Sequence, residues 1–126
     1  MKQRILVVED NPPNRELICD WLEAENFQVA TAENLDQAYE ALRENPPNIV
    51  LLDVKLGGED GLTLAGWIRH EPSLRHIPVI AVTAHAMLSD HKRVIQAGCN
   101  ACVSKPIAFK QLAKQLDLWL AHGAKS

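Results

Sequence analysis

The sequence predicts an α/β protein, a doubly wound sheet of five parallel strands covered by five helices. Two observations predict it. Short apolar runs alternate five times with longer segments whose apolar residues recur at helical spacing. Such alternation builds a parallel sheet with helices on both faces, joined by right-handed crossovers. The third run, Asn48-Ile49-Val50-Leu51-Leu52-Asp53, is apolar without alternation until its final acid. A strand buried on both faces reads that way.

Taken in order, the first strand is Ile5-Leu6-Val7-Val8, stopped by Glu9-Asp10-Asn11-Pro12-Pro13. Prolines are tolerated in the first turn of a helix, and Leu17, Ile18, Trp21 and Leu22 then repeat at helical spacing. Phe27 to Ala30 forms a second strand. Leu35, Ala38 and Leu42 mark a second helix that Asn45-Pro46-Pro47 ends. After the strand at 48–53 comes a loop with Gly57, Gly58 and Gly61, then a third helix on Leu64, Ala65 and Ile68. Pro78 to Thr83 is the fourth strand, and Met87 to Ala97 a helix closed by Gly98, a residue suited to a left-handed cap. Ala101 to Ser104 is the fifth strand. Phe109, Leu112, Leu116 and Trp119 or Leu120 stripe the last helix, with Gly123 beyond it. Five such strands imply the flavodoxin-like order 2-1-3-4-5. A single domain over 1–126, with its core at roughly 3–122 and no output domain, is expected.

Composition excludes several function classes. The chain has 126 residues, 47% of them hydrophobic and 23% charged, as a globular protein does. Its net charge of -3 builds no basic footprint for nucleic acid. No apolar run is long enough to span a bilayer, and no signal segment opens the chain, so a cytoplasmic location without membrane contact is expected. Three cysteines, an odd number, fit reduced thiols there.

In open α/β sheets, ligands bind beyond the carboxyl ends of the strands. Those ends carry Glu9 and Asp10, Asp53, Thr83, and Lys105 followed by Pro106. With strands one and three adjacent, three carboxylates share one pocket, and their repulsion calls for a hard divalent cation. Mg²⁺ suits oxygen ligands and keeps waters that a phosphoryl oxygen can replace; Mn²⁺ could substitute. Phosphoryl transfer asks a protein for positioning and charge neutralisation. Asp53 is then the nucleophile, with Thr83 and Lys105 on the remaining phosphoryl oxygens.

The motifs Val8-Glu9-Asp10-Asn11, Leu52-Asp53-Val54, Asp60-Gly61, Val82-Thr83-Ala84 and Lys105-Pro106 resemble, in order, those of the receiver domains of two-component response regulators. The run Glu9 to Asn14 is similar to receivers of phosphorelays and hybrid kinases and to small single-domain regulators. The resemblance implies that Asp53 accepts the phosphoryl group, that Asp10 binds Mg²⁺ directly, and that Glu9 helps through water. It implies the Lys55 backbone carbonyl as a third protein ligand, a Thr83 hydroxyl that turns inward, Lys105 on the phosphoryl group, and a cis bond before Pro106. Lys55 and His85 occupy the two positions that tune phosphoryl lifetime in the family. The implied partners are a histidine kinase or histidine phosphotransfer domain and a downstream protein target, with a homodimer through the fourth and fifth helices as a further option. The chain is thus expected to be a signalling phosphoacceptor, supporting only its own phosphorylation and autodephosphorylation, and no enzyme beyond that.

Two positions depart from the family pattern. The switch aromatic three residues before the lysine is replaced by Cys102, a side chain too small to follow Thr83 as a ring does. The usual proline four residues after Asp53 is replaced by Gly57, which predicts a permissive, mobile loop in the metal-free protein. Three other functions compete. An FMN binder needs a phosphate-cradling loop where this chain has Glu9-Asp10-Asn11-Pro12-Pro13. An aspartyl phosphatase needs a second aspartate where Lys55 stands. A pseudo-receiver that binds a partner without phosphorylation has Cys102 in its favour and the intact acidic set against it. Cys99-Asn100-Ala101-Cys102 has redox spacing but enters a strand rather than a helix, which makes both thiols structural. Trp21, Trp67 and Trp119 complete the helix–sheet core in this reading, and patches on the first and last helices are candidate docking faces. His70, His76, His91 and His122 are read as surface or loop residues.

Overall fold

The computed structural model describes residues 2–84 and 88–123. Its main sheet has five parallel strands: β1 (Arg4–Val8), β2 (Gln28–Ala32), β3 (Ile49–Asp53), β6 (Val79–Thr83) and β7 (Ala101–Ser104). Their order is β2-β1-β3-β6-β7, which is the 2-1-3-4-5 arrangement expected from the alternation. The helices are α1 (Pro12–Ala24), α2 (Leu35–Glu44), α3 (Leu62–His70), α4 (Leu88–Gln96) and α5 (Phe109–Gly123). Between β3 and α3 the glycine loop is a small antiparallel hairpin, β4 (Lys55–Leu56) with β5 (Glu59–Asp60), turning at Gly57 with φ +59°.

Alternation along the central strands divides the core in two. Ile5, Val7, Ile49, Leu51 and Ile80 face α1 and α5, where Ile18, Leu22, Leu112 and Leu116 meet them. Leu6, Val8, Val50, Leu52 and Ala81 face the other helices, packing on Ala38, Leu42, Leu64, Ile68 and Val94. Both faces are dry, so β1, β3 and β6 read as continuous apolar runs. Burial of each such Leu, Ile or Val contributes roughly 1.5–3 kcal/mol.

Local chemistry sets the helix starts. The Asn11 side chain accepts from the Asn14 N–H at 3.0 Å, ahead of Pro12 and Pro13 in the first turn of α1. Asn34 caps α2 through the Gln37 N–H at 2.8 Å, and Gln37 returns a bond to the Glu33 N–H at 2.8 Å. The pair resembles a capping box whose return bond reaches one residue further back, to the N–H before the cap. Gly98 takes φ +115° after α4, the left-handed cap expected of it.

Four sequence expectations need correction or limits. β2 begins at Gln28 and runs on to Ala32, because this edge strand stays in register with β1 to Val8. Leu17 is 59% exposed and not part of the core, although it shares the apolar spacing of α1. α5 continues through Gly123. The start of the fourth helix at Met87 lies outside the described residues, as does the side chain of His122. His70, His76 and His91 are exposed, and the three tryptophans are half-buried. All three tryptophans pack against the two cores.

Candidate functional site

Among the described residues, the buried polar side chains are Glu9, Asp53 and Thr83, at 2, 5 and 7% exposure. All three lie at or just past the carboxyl ends of central strands. Burying a carboxylate is costly unless it is paired, so their placement answers to chemistry rather than to packing.

Extension of the sheet's hydrogen bonding beyond the strands positions each of these chains. The Glu9 N–H donates to the Ala32 carbonyl at 3.0 Å, Val54 N–H to Val82 at 3.1 Å, and Lys105 N–H to Thr83 at 2.8 Å. The segments carrying Glu9, Asp53 and Lys105 are therefore held by neighbouring strands and converge. Glu9, Asp10 and Asp53 each offer a carboxylate oxygen, and these three oxygens all lie within 4.8 Å of one another. Lys105 Nζ donates to Asp53 Oδ2 at 2.8 Å and stands 3.6 Å from Glu9 Oε1. The Lys55 N–H donates to Asp53 Oδ1 at 3.1 Å. The Lys105–Pro106 peptide is cis, as the resemblance implied.

Electrostatics describe a pocket short of positive charge. Burial, then the hydrogen bond and the charge of Asp53, push the Glu9 carboxyl up to about 7, against the opposing pull of Lys105 and the Asn11 N–H. Burial alone would lower the Lys105 ammonium, but the hydrogen bond and charge of Asp53, with Glu9 beside it, raise it overall. Three carboxylates against one ammonium leave two negative charges when all are ionised. The donor set is all oxygen and partly buried; its Asp53 lines a cleft of about 470 Å³ with Lys55, Gly57, Asp60, Thr83 and Lys105 among others, and Glu9 lines the groove beside it. A hard divalent ion fits these residues.

Sequence reasoning placed Glu9, Asp10, Asp53, Thr83 and Lys105 at strand ends, and the structure gathers the first three with Lys105. Thr83 ends β6 on the same cleft. Cys102 lies in β7 opposite Ala81, half-buried against the α3–α4 side of the core. His85 lies outside the described residues. Sequence reasoning missed Arg15, whose guanidinium donates to the Glu9 carbonyl at 3.0 Å and pairs with Glu33 at 3.0 Å. A basic residue one helical turn past a capped acidic loop was the available signal.

The profile of the response regulator receiver domain family matches residues 5–117, and the chain belongs to that family and hence to the signalling proteins of two-component systems. It is 38% identical over 120 residues to the polar-differentiation response regulator DivK of Brucella anthropi, covering 95% of this chain and 98% of that one. Its structure is similar to the receiver domain of a Pseudomonas aeruginosa sensor histidine kinase, with TM-score 0.87, 31% identity and coverage of 96% and 99% of the two chains. That receiver holds a magnesium ion in its active-site cleft. It is also similar to the BeF₃-activated receiver domain of Klebsiella pneumoniae RstA, with TM-score 0.84, 28% identity and coverage of 93% and 97%. Among the described residues no helix is long and apolar enough to cross a membrane.

Proposed function

We propose that the protein takes a phosphoryl group onto Asp53 from a phosphorylated histidine and signals through the resulting change of shape. The observation that carries this reading is the convergence of three carboxylate oxygens within 4.8 Å, with Lys105 Nζ at 2.8 Å from Asp53. An Asp53 oxygen attacks phosphorus, the phosphorus–nitrogen bond of the donor histidine breaks, and the imidazole leaves with a proton. Glu9, Asp10, Asp53 and the Lys55 carbonyl would hold Mg²⁺, which when bound offsets the charge of the transferred group. Lys105 offsets it from the other side, and the Thr83 hydroxyl donates to a remaining oxygen. Lys55, and His85 two residues past Thr83, set access of water and hence lifetime. Loss of the phosphoryl group to water is the one turnover the site supports.

The donor is a histidine kinase or histidine phosphotransfer domain. Its seat is the groove of about 370 Å³ beside the site, lined by Glu9, Asn14, Leu17, Lys105, Ile107 and Phe109 among others. Exposed Leu17 on its rim gives that seat an apolar anchor. A target or a second copy would dock on α4 and α5, and the cytoplasm is the compartment where kinase and regulator would meet.

Acetyl phosphate with Mg²⁺, followed by intact mass, tests the chemistry. Wild-type protein should gain one phosphoryl group, and Asp53→Asn or chelated samples should gain none. If wild type gains none, even from a phosphohistidine protein, the pocket is a relic and the protein is a receiver that works without phosphorylation.

A further inference from the structure

The backbone of Glu9 is held at both ends, its N–H by the sheet and its carbonyl by a single side chain. The Glu9 N–H donates to the Ala32 carbonyl at 3.0 Å. The Glu9 carbonyl, which belongs to the peptide leading into Asp10, accepts from one Arg15 nitrogen at 3.0 Å. The other Arg15 nitrogen pairs with Glu33 Oε1 at 3.0 Å, and the Arg15 side chain is only 17% exposed. Glu33 is fixed in turn, because its N–H donates to Gln37 Oε1 within the cap of α2. Asp10 itself is exposed, and no described residue hydrogen-bonds its carboxylate. The aim of that carboxylate into the acidic cluster therefore depends on the plane of the peptide before it.

We infer that Arg15 is a positioning residue for metal binding: through the Glu9 carbonyl it orients Asp10, and through Glu33 it ties that orientation to the start of α2. This rests on the metal-binding reading above. A guanidinium suits the task, since its fixed fork serves two acceptors at once where an ammonium is a single point. Residues that orient metal ligands from behind typically change affinity by about 10–100-fold when removed.

The sign of the effect separates positioning from plain electrostatics. Removing a positive charge near an acidic site should tighten cation binding if charge alone mattered. Positioning predicts the reverse. Mg²⁺ alone, without phosphodonor, is titrated by calorimetry into wild type, Arg15→Gln, Arg15→Lys and Glu33→Gln. The expected result is roughly tenfold weaker binding by Arg15→Gln, partial recovery in Arg15→Lys, and a smaller loss in Glu33→Gln, which keeps the Arg15 charge. Equal or tighter binding by Arg15→Gln overturns the inference. Should Arg15→Gln prove unfolded by circular dichroism, Arg15→Lys decides, because it keeps the charge and loses the fork, and wild-type affinity there overturns the inference. Failure of wild type itself to bind Mg²⁺ would instead sink the metal-binding reading.

Discussion

Burial pushes the Cys99 thiol up to about 12, with the neighbouring Arg69 pulling only partly against it. Cys102 is raised as well, by burial first and then by the charge of Asp90, and Cys19 by burial and Glu23. A reactive redox pair needs the opposite, a thiolate stabilised near neutral pH. All three thiols are free. The spacing of Cys99 and Cys102 is therefore incidental to packing at the start of β7, where Cys99 is 4% exposed. A rise from 9.0 to about 12 leaves roughly a thousandfold fewer thiolates at Cys99 at neutral pH. Iodoacetamide labelling of the native protein at pH 8, followed by peptide mass mapping, should modify Cys99 last by a wide margin, and in denaturant all three should react alike. Early modification of Cys99 in the native protein would show a thiolate that burial does not permit.

At the scale of elements, the junction between β5 and α3 is the tightest place near the site. A Cβ built on Gly61 would collide with the Asp53 carbonyl oxygen and lie 3.1 Å from that of Val54. The Gly61 N–H also donates to the Val54 carbonyl at 2.7 Å, and the Asp60 side chain accepts from the Leu62 N–H at 3.0 Å. A side chain at Gly61 must displace the backbone that carries Asp53. Gly61→Ala is expected to cost about 1–3 kcal/mol in urea unfolding and to weaken Mg²⁺ binding; wild-type stability would mean that the Asp53 turn yields easily. The Asp60-Gly61 pair was legible in the sequence as a motif, but the reason for its glycine is a contact with a residue eight positions earlier. The hairpin was not legible either. Strands of two residues are too short to show a period, and Gly57-Gly58 between them reads as loop. The central strands β1, β3 and β6 were legible because acids and Thr83 mark their ends and the apolar runs behind them are buried on both faces; the edge strands β2 and β7 are only partly buried and gave a weaker signal. Leu17 shows the limit of periodicity: helical spacing names a stripe, but the width of that stripe depends on what packs against it.

For the whole molecule, the site sets a conflict between stability and function that pH and metal should reveal together. The Glu9 carboxyl titrates near 4.5 in an unfolded chain and at about 7 in the metal-free fold. The folded state holds this proton more tightly, so its contribution favours folding at low pH and is lost as pH rises from 4.5 through 7. Above that window the fold carries a second buried negative charge beside Asp53, against the one ammonium of Lys105. The raised Lys105 acts elsewhere on the scale, since its stabilisation is complete at neutral pH and fades only as pH climbs through its folded value. Within 4.5–7 the Glu9 slope therefore stands clear of it. Thermal unfolding in a chelator should give a melting temperature that falls from pH 5 to pH 8 by more than in Glu9→Gln, in which this group cannot ionise. Mg²⁺ should raise the wild-type melting temperature more at pH 8 than at pH 5, because the ion binds the ionised cluster and competes with the proton. Equal slopes for wild type and Glu9→Gln would place the proton elsewhere in the pocket. A Mg²⁺ effect independent of pH would separate Glu9 from the metal and leave Asp10 and Asp53 to hold it.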